Sequence, residues 1–229
     1  MHKVTIVVPV KDEEVGLQFL IDDFADSRIT EEYEITFIFV IDERTSDHSR
    51  QFAARLSDQI IDQRGSHGKG AAIQQAISYL KEGESKFVIL LDADGSYSFN
   101  GVKQIISSLE EGADVVSGSR FLNGSGRLEG MSRMHNFGNL LLSKISSIRN
   151  RRKISDLCTG LWGFTDESIK SIGIKSNGFD LEAEISGLVR KKKLQHVEVP
   201  VDWSQRKGGN SKLRSIRDGA IILLRIIRT

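Results

Sequence analysis

Short apolar segments alternate with amphipathic segments along the N-terminal half of the chain. Residues 4–10, 35–42, 87–92 and 114–117 are almost continuously hydrophobic and rich in β-branched side chains. Strands that are buried on both faces of a sheet show this pattern. Between them, windows 15–24 and 71–80 place their apolar residues on one face of a helix. The alternation predicts an α/β fold with a mostly parallel, Rossmann-like sheet flanked by helices.

The C-terminal half predicts fewer regular elements. Helical patterns cover residues 139–152 and about 181–192, and a strand pattern covers 197–203. The chain has only two prolines, Pro9 and Pro200, and no Pro/Ser-rich hinge. We therefore expect one domain over residues 1–212, followed by an amphipathic C-terminal helix over 213–229 that is a candidate for contact with a membrane surface.

Composition excludes several classes of protein. At 229 residues, with 39% hydrophobic and 28% charged residues, the chain has the composition of a soluble globular protein. The single cysteine, Cys158, excludes an intrachain disulfide and a cysteine zinc site, and the histidines lack ligand spacing. No apolar stretch reaches the roughly 18 residues of a membrane span. We expect a cytoplasmic protein that does not bind nucleic acid and that is a candidate for peripheral contact with the cytoplasmic face of the membrane.

Two carboxylates follow a strand of the predicted sheet. Asp92 and Asp94 come directly after the apolar residues 87–91, and Gly95 permits a turn. Ligands of such sheets bind beyond the carboxyl ends of the strands. Paired carboxylate oxygens at this spacing suit Mg²⁺ or Mn²⁺ together with substrate phosphates. The alternative is a turn in which the aspartates cap the next helix.

Three further segments combine cations with glycine or hydroxyl groups. Lys69 lies in a Gly-rich turn that opens a helix, although the spacing is not that of a Walker motif. Arg120 follows Ser119 at the end of a strand, and Arg206 precedes Ser211 and Lys212. Such loops hold phosphate oxygens. The alternative is that these charges are simply solvated.

Taken in chain order, these motifs resemble the inverting, family 2 nucleotide-sugar glycosyltransferases of the GT-A fold. The resemblance is to the dolichyl-phosphate mannose synthase and polyprenyl-phosphate glycosyltransferase group, and it covers about residues 3–215. The first five motifs that match the group lie at residues 7–14, 41–47, 68–70, 92–94 and 118–120. Residues 156–160 resemble the group's D-x-T-S-G, and residues 197–212 resemble its E-V-P-I followed by R-x-x-G-x-S-K.

The resemblance implies a metal-dependent transfer of a sugar from a GDP- or UDP-sugar to dolichyl or polyprenyl phosphate. Pro9, Glu13 and Asp42 would line the nucleotide pocket, and Asp92 and Asp94 would hold Mg²⁺ or Mn²⁺. Lys69 and Arg120 would neutralise diphosphate oxygens. Arg206, Ser211 and Lys212 would position the acceptor phosphate, whereas Asp156 would orient it or take a proton from a hydroxyl acceptor.

The sequence departs from the group's pattern at several positions. Lys11 stands where an aromatic residue would pack on the base, and residues 43–45 read Glu-Arg-Thr where the group has D-G-S. Ser96 stands where some members have a third metal ligand, and Trp162 where many have an arginine. We expect Trp162 to lie in the core.

Other functions remain open from the sequence alone. A glycosyltransferase acting on a non-lipid hydroxyl and a non-catalytic nucleotide-sugar binder both fit the same motifs. Residues 88–96 also resemble the nucleophile motif of haloacid-dehalogenase phosphatases. That motif normally opens its fold, whereas here three strands are expected before it. A sugar-1-phosphate nucleotidyltransferase would carry a Gly-rich loop where residues 9–14 lie.

Overall fold

The chain forms one mostly parallel sheet covered by helices, as a computed structural model describes for residues 1–57, 59–122, 128, 130–208 and 215–229. Within these residues the strands are β1 His2–Val10, β2 Tyr33–Asp42, β3 Ile60–Gln63, β4 Phe87–Leu91, β5 Val115–Ser119, β6 Leu161–Thr165 and β7 His196–Pro200. The helices are α1 Glu14–Ser27, α2 Ser49–Ala53, α3 Lys69–Tyr79, α4 Phe99–Glu110, α5 Arg133–Asn150, α6 Asp166–Ile172, α7 Leu181–Lys192 and α8 Ser215–Arg228.

One reversed strand interrupts an otherwise parallel sheet. The strand order is β3-β2-β1-β4-β6-β5-β7, and β6 is antiparallel to both β4 and β5. The carboxyl ends of the parallel strands therefore meet at one edge, and the segment that precedes β6 reaches the same edge. Strand polarity thus brings residues 156–160 beside the loops that follow β4 and β5.

Apolar side chains pack on both faces of this sheet. In β1, Val4, Ile6 and Val8 belong to one hydrophobic cluster, whereas Val7 belongs to the opposite one. The same alternation separates Ile89 from Leu90 in β4. Burial on two sides explains why the sequence reads as continuous apolar runs. The predicted α/β architecture is confirmed.

Most predicted elements differ from the observed ones by one or two residues at an end, and three differ more clearly. The strand expected over 197–203 ends at Pro200, and beyond it Trp203 forms an isolated bridge to Tyr97. The helix expected from 139 begins at Arg133, where Ser132 Oγ accepts a hydrogen bond from the His135 amide. Helix α1 extends past the predicted window to Ser27. Pairing and capping, which are set by neighbouring chain segments, fix these ends.

Helices α5, α7 and α8 form a smaller cluster beside the sheet. Ile222 and Ile226 of α8 pack with Leu157 and Ala183 in a third apolar cluster. The opposite face of α8 exposes Leu224 and other aliphatic side chains. As predicted, Trp162 is buried, and its Nε1 donates to the Thr159 carbonyl. Among the described residues, no helix combines the length and apolar character that crossing a bilayer requires.

A partly buried histidine predicts a pH-dependent stability. His196 Nε2 lies 2.9 Å from Ser117 Oγ, and the ring packs against Trp162. Burial, together with the charge of Arg152, lowers the pKa of His196 to about 3. In the unfolded chain this group titrates near pH 6.5. The unfolded state therefore binds the extra proton, and stability falls as the pH drops from about 6.5 toward 3.

We expect His196→Gln, which keeps a partner for Ser117, to lose this part of the pH dependence. Urea unfolding at about pH 7.5 and about pH 5 gives the change in the free energy of unfolding between the two pH values. This change is compared between wild type and variant. His2→Gln is the control, because His2 is exposed. Equal pH slopes for wild type and His196→Gln would contradict the prediction.

Candidate functional site

A cavity of about 940 Å³ opens at the carboxyl edge of the sheet. The loops after β1, β2 and β4 line it together with the start of α3, the segment before β6, and helices α5, α7 and α8. The sequence-predicted residues that line it are Pro9, Glu13, Asp42, Lys69, Asp92, Asp94, Arg120 and Arg206. The fold therefore brings most of the predicted residues to one place.

Lys69 is bound between two carboxylates. Its Nζ lies 2.6 Å from Asp92 Oδ1 and 2.7 Å from Glu182 Oε1. Burial alone would lower the pKa of Lys69, but the two carboxylates outweigh it and raise that pKa. Burial also raises the pKa of Asp92 and of Glu182, against the opposing effect of Lys69. The lysine predicted to neutralise phosphate thus neutralises the first aspartate of the D-x-D pair.

Close backbone packing fixes the position of this ion triad. A Cβ at Gly160 would overlap the Asp92 carboxylate, so the segment before β6 needs glycine there. Gly70, which follows Lys69, lies against the Ser176 carbonyl, and a Cβ there would overlap it. The loop before α7 therefore packs directly on the Gly-rich turn.

Arg206 joins Asp94 to the start of α1. Its Nη1 donates to both Glu13 oxygens at 2.6 and 2.8 Å, and its Nη2 lies 3.3 Å from Asp94 Oδ2. The segment that carries Arg206 pairs with the D-x-D loop through two backbone bonds, from Lys207 to Asp94 and from Ser204 to Ser96. The guanidinium is thereby placed against the second aspartate.

Arg120 is held by Asp156. Its Nε and Nη2 donate to the two Asp156 oxygens at 2.6 and 2.7 Å, and Asn139 Nδ2 donates to Oδ1 at 2.8 Å. Asp156 is fully buried, and Glu198 accepts its backbone amide and that of Ser155. These contacts favour an orienting role for Asp156, because its oxygens already accept from protein donors. Its role as a proton acceptor stays a prediction.

Two of the predicted site residues, Ser211 and Lys212, lie outside the described residues. Three others that the structure brings in were not predicted: Glu182, Asn139 and Glu198. Glu182 sits in a helix whose polar face gave no separate signal. Asn139 and Glu198 act on Asp156 across 17 and 42 residues of sequence, so spacing could not reveal them.

The acidic residues of the site suit a hard divalent cation. Among the described residues, the carboxylates of Glu13, Asp92, Asp94 and Glu182 face the two cations Lys69 and Arg206. All the candidate donors in this group are oxygens, which Mg²⁺ and Mn²⁺ prefer. Asp94, next to Asp92, is the residue that such an ion would use.

Comparison with known proteins identifies the family of the chain. The family model described as Glycosyl transferase family 2 matches residues 5–173. The chain belongs to glycosyl transferase family 2. It is 29% identical over 226 residues to glycosyltransferase AglJ of Haloferax volcanii, covering 98% of this chain and 71% of that protein. It is 25% identical over 219 residues to dolichol-phosphate mannosyltransferase of Pyrococcus furiosus, covering 93% of this chain and 59% of that protein.

The fold is also that of solved structures in this class. Glucosyl-3-phosphoglycerate synthase from Mycobacterium tuberculosis, in complex with Mn²⁺, UDP and phosphoglyceric acid, superposes with a TM-score of 0.70. The match covers 99% of this chain and 76% of that one at 14% sequence identity. At this identity the likeness concerns the fold, and it confirms the predicted GT-A architecture. The family places the chain among glycosyltransferases, which does not favour the phosphatase alternative.

The partly buried triad predicts a large effect on stability when its cation is removed. Lys69→Met would leave two carboxylates without their counter-charge and lower the free energy of unfolding by about 3 kcal/mol near neutral pH. The loss should shrink as the pH falls. The carboxyl pKa values in the folded variant lie above those of the unfolded chain, so protonation at low pH restores stability.

Denaturant unfolding of Lys69→Met and of Lys69→Met/Glu182→Gln measures this effect. We expect the double variant to recover part of the loss, because one uncompensated charge is gone. Lys103→Met is the matched control: Lys103 forms a surface pair with Glu32, and its loss should matter by less than about 1 kcal/mol. A Lys69→Met loss no larger than the control's would contradict the prediction.

Proposed function

We propose that this chain transfers a sugar from a UDP- or GDP-sugar to a lipid phosphate such as dolichyl or polyprenyl phosphate, with inversion at the anomeric carbon. The observation that carries the proposal is that one cavity joins an acidic and cationic end to an apolar end. Asp94 and Arg206 line the first, whereas Met134, Phe137 and Leu141 of α5 line the second. A sugar nucleotide fits the first kind of surface, and a lipid chain fits the second.

The apolar end is unusually exposed for a globular protein. The Phe137 side chain is 68% exposed and Met134 is 58% exposed. On the neighbouring α8, Leu224 and Ile227 are 49% and 57% exposed. Contiguous exposed apolar surface marks a binding or membrane-contact site.

Basic side chains flank this apolar surface. Arg133, Lys144 and Arg149 of α5 are exposed, and so are Arg217 and Arg228 of α8. Cations beside exposed aliphatic side chains are typical of helices that lie on anionic lipid. A membrane surface is where a polyprenyl phosphate would be met, so the helix pair supports a lipid acceptor over a soluble hydroxyl acceptor.

The difficult step of such a transfer is departure of the nucleoside diphosphate. A divalent ion held by Asp94 and Asp92 would neutralise the negative charge that grows on this leaving group. Arg206 lies beside Asp94, and Arg120 is oriented by Asp156. These contacts support a role for both guanidinium groups in stabilising phosphate oxygens.

The acceptor phosphate needs little activation. A phosphate monoester is already largely ionised near neutral pH. One of its oxygens would form the new bond to the anomeric carbon while the bond to the diphosphate oxygen breaks, and the electron pair leaves with the diphosphate. A strong general base is unnecessary, which agrees with an Asp156 that accepts hydrogen bonds from Arg120 and Asn139.

A transfer assay tests this proposal directly. Each labelled UDP- or GDP-sugar is offered with polyprenyl phosphate in detergent, with and without Mn²⁺. We expect metal-dependent formation of a lipid-linked sugar, reduced at least about 100-fold in Asp94→Ala. Glu167→Ala is the control, because Glu167 is an exposed carboxylate of α6 away from the cavity. Nucleotide binding without transfer to lipid phosphate or to soluble hydroxyl acceptors would instead indicate a binding protein.

Membrane contact through α8 is tested separately. Leu224→Ser/Ile227→Ser should weaken flotation with anionic vesicles about tenfold, because two exposed aliphatic side chains no longer enter the interface. Transfer to a long-chain acceptor in vesicles should fall, whereas transfer to a short, soluble prenyl phosphate should not. Tyr79→Ser is the control, since Tyr79 is 59% exposed on α3 and does not line the cavity. Unchanged flotation of the double variant would overturn the assignment.

A further inference from the structure

The turn after β2 differs from the group pattern and has an unusual local structure. Arg44, two residues beyond Asp42, folds back onto it. The Arg44 amide and Nε lie 2.9 and 2.8 Å from Asp42 Oδ1, and Nη2 lies 2.5 Å from Oδ2. Both oxygens of the aspartate that the resemblance assigns to nucleoside contact are therefore engaged within the turn.

Asp42 is enclosed as well as engaged. Its side chain is 4% exposed, and His67 Nδ1 lies 3.8 Å from its Oδ2 on the other side. The hydrogen bond from Arg44 is the main reason that the pKa of Asp42 is lowered to about 2. The carboxylate stays ionised and bound to the guanidinium, so it serves as an anchor.

Arg44 is the member of the pair that faces the cavity. Its side chain is 51% exposed, and it lines the cavity together with Pro9, Lys11 and Gln63. Nε and Nη2 hold the carboxylate, whereas Nη1 takes no part in that pairing. A guanidinium fixed in this way presents a pre-oriented donor to whatever occupies this end of the cavity.

We propose that Arg44 selects the nucleobase of the donor by donating a hydrogen bond to a carbonyl oxygen of the base, with Asp42 as its anchor. This inference rests on the proposed function, because it requires a nucleoside diphosphate in the cavity. Uracil and guanine carry an exocyclic carbonyl, whereas adenine carries an amino group in its place. Arg44 therefore favours UDP or GDP over ADP.

Calorimetric titration of UDP, GDP, ADP and inorganic pyrophosphate, each with Mn²⁺, tests the assignment. For whichever of UDP and GDP the wild type binds more tightly, Arg44→Ala should weaken binding about tenfold or more, since a charged donor is lost. Pyrophosphate, which has no base, should bind wild type and variant equally. We expect ADP to bind wild type more weakly, and its affinity should change less in Arg44→Ala than the affinity of the preferred nucleotide.

A matched arginine controls for charge. Arg50 is 52% exposed, pairs with Asp62 and does not line the cavity, so Arg50→Ala should leave all four affinities unchanged. Arg44→Lys keeps the charge but lacks the two-nitrogen fork, and we expect it to behave like Arg44→Ala. It also keeps a cation beside Asp42 should the alanine variant fold poorly.

The outcomes separate this inference from the proposed function. If wild type binds UDP or GDP and Arg44→Ala binds it equally or more tightly, Asp42 reads the base and the inference is wrong. If Arg44→Lys binds the preferred nucleotide as tightly as wild type, only the charge of residue 44 matters and the inference is also wrong. The same holds if Arg44→Ala loses as much affinity for pyrophosphate as for the preferred nucleotide. If wild type binds none of the nucleoside diphosphates, the proposed function itself fails.

Discussion

The contact between Lys69 and its two carboxylates sets the geometry of the site. Asp92 ends a buried strand, Lys69 opens α3, and Glu182 lies in α7, so one ammonium group joins three segments that are far apart in sequence. A buried charge without a partner is strongly unfavourable, so these segments must meet for any of them to be tolerated. The Gly160 backbone then packs against Asp92 and adds the segment before β6.

Strand polarity explains why that segment is present at all. In a wholly parallel sheet, the loop before a strand lies at the edge opposite the ligand site. Because β6 runs antiparallel to its neighbours, the residues before it reach the ligand edge instead. Asp156 is thereby brought to Arg120, and Glu198 holds the same segment from β7. The cations of the site are each oriented by an acidic partner before any ligand binds, which favours preorganised stabilisation of phosphate charge.

The two ends of the cavity have different physical characters, and this difference connects structure to function. Family membership establishes a glycosyltransferase, and one end of the cavity carries the carboxylates of Asp92 and Asp94. Part of the apolar end consists of exposed side chains of α5, such as Phe137. The proposed lipid-phosphate acceptor rests on this surface, because a lipid-linked phosphate would use both ends at once.

The sequence patterns predicted the fold class, and the resemblance of motifs along the chain to a glycosyltransferase group supplied most of the candidate site residues. Continuous apolar runs that alternate with amphipathic helical windows favour strands buried on two faces, and the carboxyl ends of parallel strands meet at one edge. The sequence did not show that Lys69 binds Asp92 and Glu182, that Glu198 supports Asp156, or that Arg44 covers Asp42. These partners meet only when the chain folds. Charge pairing in a partly buried site depends on distances between side chains, and the spacing of residues along the sequence does not give those distances. Only the tertiary structure decided which charges neutralise one another and which still face the cavity.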